Sequence, residues 1–224
     1  LSERLTGPAP DPLVALAVAA GRTRKLKLGT AVLVVPGRNP VVLAKELASL
    51  DRLSGGRLLP AVGIGAPVPA EHRAFGVDRK QRAALFDEAM GLIRRLWTED
   101  KVDHDGPHFH VEGVTLRPKP LQQPRPPILI GGGGERKTLK LVARYADACN
   151  LFGDPDEVAH KLEALRGHCE AEGRDPDTIE KTVLVMGVDP AADPDGFLSL
   201  AESYAALGVD LVATVPLGPE PVSF

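Results

Sequence analysis

Short runs of apolar residues alternate along the chain with longer segments whose apolar residues recur at helical spacing. The short runs are rich in Val, Ile and Leu, which indicates strands that are covered on both faces. Strands are predicted at 26–35, 57–65, 128–131, 147–152, 182–187 and 209–215. The longer segments predict helices at 12–21, 40–53, 79–98, 135–146, 155–172 and 197–208.

One segment, residues 108–127, departs from this pattern. It alternates polar and apolar residues and then becomes rich in proline, which predicts a short hairpin followed by an extended crossing segment. Pro60 is a second irregularity, because a proline inside a strand removes a ladder hydrogen bond and weakens the prediction for 57–65. The region of about 100–127 therefore reads as an insertion within a single domain that spans 1–224.

Strands separated by helices predict an α/β fold with a parallel sheet. Six strands are compatible with an open doubly wound sheet. They are also compatible with a (β/α)8 TIM barrel that lacks its first two strands and its last helix. The chain opens on a predicted helix with no strand before it, and no helix follows the final strand. This order favours the incomplete barrel with insertions.

Composition narrows the class of function. The hydrophobic fraction of 43% and the charged fraction of 25% are ordinary for a soluble globular protein, and a net charge of -3 gives no basic surface for nucleic acid. No apolar run reaches the length of a membrane span, about 18 residues, and residues 1–12 lack the charged start and the apolar stretch expected of a signal peptide. Two cysteines are too few for a disulfide framework, which favours a reducing cytoplasm, and Cys149 reads as a buried apolar residue.

The stretch ILIGGGGERK, residues 128–137, places four glycines between a predicted strand and a predicted helix. Backbone N–H groups at such a junction can hold an anion such as phosphate. Glycine's freedom at positive φ would let Gly132, Gly133 and Gly134 turn their amides inward. A permissive strand-to-helix turn explains the same residues. Because the stretch matches neither the P-loop nor the GxGxxG fingerprint, both interpretations stay open.

A second candidate feature is the stretch GTAVLVVPGRNP, residues 29–40. In a barrel, residues at the C-terminal end of a strand face the active site. The small residues Thr30 and Ala31 would let a planar ring approach the backbone at this point. A tight strand end accounts for the two residues equally well.

Two longer stretches carry a resemblance to a known family. They are LGTAVLVVPGRNPVVLAKELASLDRLSGGRLLPAVGIGAP and PPILIGGGGERKTLKLVARYADACNLFG. Together they resemble the bacterial luciferase-like family, and within it the actinobacterial branch of oxidoreductases that use coenzyme F420. The resemblance covers nearly the whole chain and implies a TIM barrel with insertions.

The resemblance also implies cofactor contacts at matching positions. A non-prolyl cis peptide bond behind the deazaflavin ring falls on Ala31–Val32, and the phosphate-binding loop falls on the glycine run. Gly63 and Gly65 match a strand end beneath the ring. The implied cofactor-binding residues are Thr30, Ala31, Val32, Gly63, Gly65, Gly132, Gly133, Gly134, Asn150, Leu151 and Phe152.

The family chemistry implies hydride transfer between F420 and a small organic substrate, while the protein orients the ring and excludes water. His72 is the candidate proton donor, because an imidazole titrates near neutral pH, and Glu71 is a second candidate acid. Ordinary explanations are a solvated His72 at a helix start and a first-turn Glu71 favoured by the helix N-terminus. Many F420-dependent relatives carry Glu or Trp where this chain has Ala66 and Pro67, which weakens the transfer of a specific donor.

Several functions stay open at this point. The first is an F420-dependent oxidoreductase, the second an FMN-dependent monooxygenase of the same family, and the third a non-catalytic or truncated relative that binds cofactor. A phosphosugar-binding TIM barrel is a weaker fourth. A small-molecule substrate is expected, with no nucleic acid, membrane or metal, and a homodimer is consistent with the family. The stretch HDGPHFHVEGV carries no signal that selects a substrate.

Overall fold

A computed structural model describes residues 3, 5 and 9–215, in two compact units that are divided between Gly131 and Gly132. The helices are α1 Pro12–Arg22, α2 Pro40–Ser54, α3 Pro69–Ala74, α4 Arg82–Thr98, α5 Thr138–Tyr145, α6 Pro155–Ala171 and α7 Pro194–Ala206, with a 3₁₀ turn at Pro176–Thr178. The strands are β1 Leu28–Gly29, β2 Leu33–Val34, β3 Leu58–Leu59, β4 Ala61–Gly63, β5 Val102–Asp105, β6 His110–Val114, β7 Leu129–Gly131, β8 Ala148–Leu151, β9 Glu180–Val185 and β10 Leu211–Thr214.

Parallel strands alternate with helices in both units, which confirms the predicted α/β class. In the first unit, β1 pairs with β3, and β4 lies between β2 and β7. In the second unit, β9 lies between β8 and β10. The sequence also predicted a single domain over 1–224 that lacks its first two strands and its last helix. Both predictions depend on chain ends that lie partly outside the described residues, so they stay predictions.

Two of the six predicted strands are interrupted. The segment 26–35 contains β1 and β2, and the segment 57–65 contains β3 and β4, with a break at Pro60. Pro60 has no N–H to give to a ladder, which accounts for the second break. The buried Thr30 hydroxyl bridges the gap, because it donates to Ala61 O at 2.6 Å and accepts from Ala61 N at 3.0 Å. A side chain thus replaces a backbone rung where the strand is broken.

Capping residues explain where the helices begin. Asp11 Oδ1 accepts hydrogen bonds from Leu13 N at 2.9 Å and Val14 N at 3.0 Å, and Pro12 occupies the first turn of α1. Asn39 caps α2 in the same way. The short helix α3 was not among the predicted elements, because six residues are too few to show helical periodicity.

The core of the first unit contains two buried charged side chains. Arg57 is 8% exposed and donates to Ala20 O at 3.0 Å and Leu26 O at 2.7 Å, so it satisfies a carbonyl near the end of α1. Asp51 is fully buried on α2, and its carboxylate accepts from Leu121 N at 2.7 Å and from Gln122 N at 3.0 Å. Asp51 thereby attaches the proline-rich crossing segment to the helix.

The predicted hairpin exists, but its position was wrong. The sequence pattern placed it at the start of 108–127, whereas the antiparallel pair is β5 with β6, and β5 lies wholly before residue 108. Three of the four β5 residues are polar, so the segment has no apolar run that could mark it as a strand. Residues 115–127 form neither helix nor strand, as the extended crossing segment predicted.

The predicted burial of Cys149 is confirmed, and the single tryptophan is buried as well. Cys149 is 0% exposed in β8, and burial raises the pKa of its thiol to about 11. Trp97 is 2% exposed on α4, and its indole Nε1 donates to Ala44 O at 3.0 Å. The cysteine is therefore protonated at neutral pH, and the indole belongs to the core of the first unit.

Candidate functional site

Val32, which precedes β2, lies against the last residues of β4 and β7. The Ala31–Val32 peptide bond is cis, as the resemblance predicted. A Cβ added to Gly63 would lie 2.8 Å from Val32 Cγ2, and one added to Gly131 would lie 2.6 Å from Val32 Cγ1. Carbon atoms normally approach to about 3.5–4.0 Å. Both strand ends therefore have to be glycine while the Val32 side chain occupies this space.

Glu3 is a buried carboxylate at this edge of the first unit, and the sequence patterns did not identify it. Its Oε2 accepts a hydrogen bond from Val34 N at 2.6 Å, and its Oε1 accepts one from Arg38 Nη2. The Glu3 backbone N–H donates to Val32 O at 3.2 Å, and the side chain is only 2% exposed. Glu3 thus holds the backbone on both sides of Leu33. Its partners are about thirty residues away along the chain, so no local spacing could have revealed it.

A pocket of about 30 Å³ opens beside these strand ends. Its charged and polar side chains are Glu3, Glu71, His72 and Arg82, and Gly65 is among the other lining residues. The structure therefore brings both predicted acid–base candidates to one pocket.

His72 and Arg82 hold the loop that follows β4. His72 Nε2 lies 2.6 Å from Ala66 O, so we assign the ring hydrogen to Nε2 as the donor. Arg82 Nη1 donates to Gly65 O at 2.9 Å and lies 3.3 Å from His72 Nε2. Burial, together with the charge of Arg79, lowers the pKa of Arg82. Because Nε2 contacts the backbone, Nδ1 is the His72 atom that could serve a ligand, and the proton-donor role stays a prediction.

Glu71 is a buried first-turn residue of α3. Its Oε2 accepts a hydrogen bond from Leu5 N at 3.1 Å, which connects α3 to the described part of the N-terminal segment. The position agrees with the ordinary explanation of Glu71 as an acid at a helix start. Its role as a catalytic acid stays a prediction.

The second unit begins with the glycine loop, which leads into α5. Gly132 has a φ of 122°, a value that side-chain-bearing residues rarely adopt, and its N–H donates to Asn150 O at 3.0 Å. The side chain of Lys137, which precedes α5, does not cap the helix, and the first turn contains no acidic residue. The helix start therefore presents a positive dipole end that favours an anion.

Two side chains that the sequence patterns missed lie against this loop. A Cβ added to Gly134 would lie 2.9 Å from Thr138 Oγ1, and one added to Gly133 would lie 3.0 Å from Lys161 Cε and 3.4 Å from its Nζ. Thr138 is 4% exposed, at the start of α5. Lys161 lies on α6, far along the chain from the glycines, so only the folded structure associates it with the loop.

The three predicted residues at the end of β8 have different environments. Asn150 is half-buried, and its Oδ1 lies 2.8 Å from the Thr182 hydroxyl. Leu151 is fully buried, so its side chain belongs to the core and only its backbone could meet a ligand. Phe152 is 38% exposed, and its carbonyl accepts a hydrogen bond from Lys161 Nζ. Of the eleven predicted cofactor residues, five lie in the first unit and six in the second.

Two histidines of the hairpin contact carboxylate groups. His104 Nε2 lies 2.9 Å from Glu88 Oε1, and His110 Nδ1 lies 3.1 Å from Asp105 Oδ1, so these histidines form pairs at the hairpin. Within residues 3, 5 and 9–215, no group of three or more His, Cys, Asp or Glu side chains is arranged to hold a metal ion. Over the same residues, no helix combines the length and the apolar character that crossing a membrane requires.

Comparison with protein families and curated proteins gives a consistent result. The model of a family described as luciferase-like monooxygenase matches residues 1–197. A Nocardia farcinica protein named F420-dependent glucose-6-phosphate dehydrogenase is 37% identical over 214 residues, which cover 91% of this chain and 61% of that protein. The chain spans between 50% and 63% of the length of the curated relatives it matches.

Solved structures show the same likeness. The crystal structure of the monooxygenase RslO1 from Streptomyces bottropensis is 28% identical, with a TM-score of 0.71, covering 92% of this chain and 65% of that chain. An F420-dependent secondary alcohol dehydrogenase, solved in complex with an F420–acetone adduct, has a TM-score of 0.79 and covers 94% of this chain and 80% of that chain. At 19% identity, the second likeness is evidence of fold alone.

Proposed function

Because the chain belongs to the luciferase-like monooxygenase family, we propose that it is an oxidoreductase that uses coenzyme F420 and a small organic substrate. The observation that carries this proposal is the glycine loop before α5, where the absence of Cβ atoms lets the Thr138 and Lys161 side chains lie directly against the loop beside a helix start. Relatives named F420-dependent dehydrogenases, such as the Nocardia farcinica protein, support F420 as the cofactor.

The residues of the loop fit a phosphorylated cofactor. Cβ atoms at Gly133 and Gly134 would collide with Lys161 and Thr138, so the two glycines allow an ammonium group and a hydroxyl to lie close to the loop backbone. A helix N-terminus and a cation together favour an anion, because both place positive charge at the same position. In the first unit, Ala31 is small and exposed, so a planar ring could approach the backbone there.

F420 supplies hydride transfer at C5 of its deazaflavin ring when it is bound. The chain's own residues would bind and orient the ring and hold the phosphate. Val32 offers an apolar surface whose position is fixed by Gly63 and Gly131. To donate a proton from Nδ1, His72 would have to carry a hydrogen on both ring nitrogens, because its Nε2–H is bonded to Ala66 O. This arrangement suits an acceptor such as a ketone, enone or imine, whose reduction takes up one proton.

An FMN-dependent monooxygenase is the second candidate function. The likeness to the monooxygenase RslO1, at 28% identity, favours it. The glycine loop does not separate the two candidates, because F420 and FMN both carry a phosphate group. Residues that contact the ring, rather than the phosphate, would decide between them.

Turnover with oxygen monitoring tests the proposal. The purified protein would be mixed with reduced F420 and a panel of ketones, enones and imines, while cofactor oxidation and oxygen concentration are followed together. The proposal predicts substrate-dependent oxidation of F420 without oxygen uptake. Oxygen uptake that requires reduced FMN would instead support the monooxygenase.

A matched pair of histidine variants tests the proton-donor role. His72→Gln is expected to lower kcat about a hundredfold, the usual contribution of a general acid. His160→Gln is the control, because His160 is exposed in the second unit, 3.4 Å from Glu135 Oε2, and its replacement should leave kcat unchanged. Equal kcat values for the two variants would remove His72 from the mechanism.

A further inference from the structure

Three exposed apolar side chains lie at the carboxyl ends of the strands of the second unit. Phe152 follows β8, Met186 follows β9 and Val215 follows β10, and each is the first residue after its strand. Their exposed fractions are 38%, 69% and 44%. We call these three residues the apolar edge. Ligands of α/β folds bind at the carboxyl ends of parallel strands, and grouped apolar residues on a protein surface commonly mark an interaction site.

The strand register places the apolar edge on one face of the sheet. Leu151 pairs with Val183, and Val185 pairs with Thr214. When each ladder is continued by one residue, the alternation of side chains along the strands puts all three residues of the apolar edge on the same face. The candidate cofactor residue Asn150 shares that face, because it lies two positions before the first residue of the apolar edge. The apolar edge therefore adjoins the candidate site.

The chain carries no cationic side chain beyond Lys181. Residues 182–224 contain no Lys, Arg or His, and all of their charged residues are Asp or Glu. Two of these acids, Asp189 and Asp193, lie between Met186 and α7. Asp189 Oδ1 accepts a hydrogen bond from Ala191 N at 2.9 Å, and Asp193 caps α7. The loop beside the apolar edge is therefore anionic, and it disfavours a substrate that carries a phosphate or a carboxylate.

Lys161 is a cation that reaches the same end of β8 from α6. Its Nζ donates a hydrogen bond to Phe152 O, and its side chain lies against Gly133 of the glycine loop. The proposed function assigns this charge to the phosphate of the cofactor. The substrate would therefore meet the apolar edge and the acidic loop without a positive charge of its own to bind.

We propose that the substrate is a neutral, apolar carbonyl compound whose hydrocarbon part packs on the apolar edge. The inference rests on the proposed function and deepens it, because it names the class of substrate. Phe152 offers a rigid aromatic surface, and Met186 offers a flexible side chain that adapts to irregular shapes. An anionic substrate such as a sugar phosphate would lose its hydration beside carboxylates, which is unfavourable.

A matched pair of ketones tests the effect of charge. 2-Heptanone and 6-oxoheptanoate share the ketone and the chain length, and they differ only in a terminal methyl group or carboxylate. The full chain is assayed with reduced F420 and each ketone, and then with methyl ketones of increasing chain length, and kcat/KM is compared. Glucose 6-phosphate is tested with oxidised F420, because the Nocardia farcinica relative is named for its dehydrogenation.

The wild type should prefer the neutral and longer ketones. We expect kcat/KM to rise about fourfold with each methylene that leaves water at the apolar edge. 6-Oxoheptanoate should be about a hundredfold poorer than 2-heptanone, because its carboxylate would lose hydration beside an acidic loop. Glucose 6-phosphate should give no turnover.

Variants of Met186 locate the effect at the apolar edge. Met186→Gln should reduce the gain to about twofold or less per methylene, since the contact becomes polar. Met186→Lys should raise kcat/KM for 6-oxoheptanoate about tenfold or more and lower it for 2-heptanone, because a cation now faces the carboxylate. Misfolding cannot produce such a gain. Leu211→Gln is the control, because Leu211 is 53% exposed but lies at the opposite end of β10, and it should leave both ketones unaffected.

Three results would overturn the inference while the proposed function stands. The first is turnover of 6-oxoheptanoate or glucose 6-phosphate that equals or exceeds that of 2-heptanone. The second is the same dependence on chain length in Met186→Gln, Leu211→Gln and the wild type. The third is a changed oligomeric state of Met186→Gln with unchanged kinetics, which would identify the apolar edge as a contact between copies of the chain. If F420 turns over with none of these compounds, the proposed function itself fails, and the inference fails with it.

Discussion

Replacing Gly63 by alanine should create a steric conflict with Val32. The added methyl would lie 2.8 Å from Val32 Cγ2, against an ordinary carbon–carbon approach of about 3.5–4.0 Å. Gly63 ends β4, which is paired with β2 on one side and β7 on the other, so the backbone has little freedom to move away. We therefore expect Gly63→Ala to destabilise the protein by about 1–3 kcal/mol, the usual cost of overpacking.

A second substitution should relieve the conflict. Val32→Ala removes both Cγ atoms, and the remaining Val32 Cβ would lie 3.7 Å from the new methyl, an ordinary contact distance. The double variant should therefore be about as stable as Val32→Ala alone. The coupling energy between the two sites would then be about 1–3 kcal/mol in the direction of rescue.

Urea denaturation of the wild type, both single variants and the double variant measures this coupling. Gly167→Ala is the control, because Gly167 lies within α6 and a Cβ there would meet nothing within 4 Å. That variant should be more stable than the wild type by about 0.5–1 kcal/mol. A coupling energy near zero, or a Gly63→Ala variant as stable as the wild type, would refute the assignment of Val32 to this space.

Three further predictions concern the described core. Arg57→Met should destabilise the protein by about 3 kcal/mol or more, because it leaves carbonyl groups without their donors. The exposed Arg22→Met is the control and should change the melting temperature little. Similar melting temperatures for the two variants would contradict the role of Arg57. Thr30→Val should lower the free energy of unfolding by about 1–3 kcal/mol, because two hydrogen bonds to Ala61 are lost. Thr30→Ser keeps the hydroxyl and should retain most of this stability in urea denaturation. A serine variant as unstable as the valine variant would argue against the bridging hydroxyl. Cys149 should resist thiol reagents at pH 8 until the protein unfolds, because its pKa is raised to about 11. The stability that the protonated thiol contributes should be lost as the pH rises from 9.0 towards 11. Rapid labelling of the native protein would contradict the burial of Cys149.

The sequence was sufficient to predict elements that a repeating pattern defines. The strands β7 and β8 were placed to within a residue or two, because buried apolar runs bounded by glycine or by a helix are unambiguous. The breaks around Thr30 and at Pro60 were harder to place. The first depends on a hydroxyl that reaches another strand, which no property of residues 26–35 reveals.

The same distinction applies to the candidate site, where features of the local chain were predicted from the sequence and contacts between distant segments were not. The glycine loop and the cis bond at Ala31–Val32 were found through motifs and resemblance, which report on the local chain. Glu3, Thr138 and Lys161 were missed. Lys161 reaches the loop only because α6 folds against it, and Glu3 meets Val34 across thirty-one residues, so these contacts are products of tertiary structure. Sequence patterns find the backbone of such a site more readily than its charged side chains.

Cofactor preference is the most direct test of the central claim that this chain is an F420-dependent member of its family. The purified chain would be titrated in parallel with F420 and FMN, and the fluorescence of each cofactor would be followed. The account predicts saturable binding of F420 that is at least about tenfold tighter than that of FMN, a free-energy difference of about 1.4 kcal/mol or more. Tighter binding of FMN, or no binding of either cofactor, would contradict it.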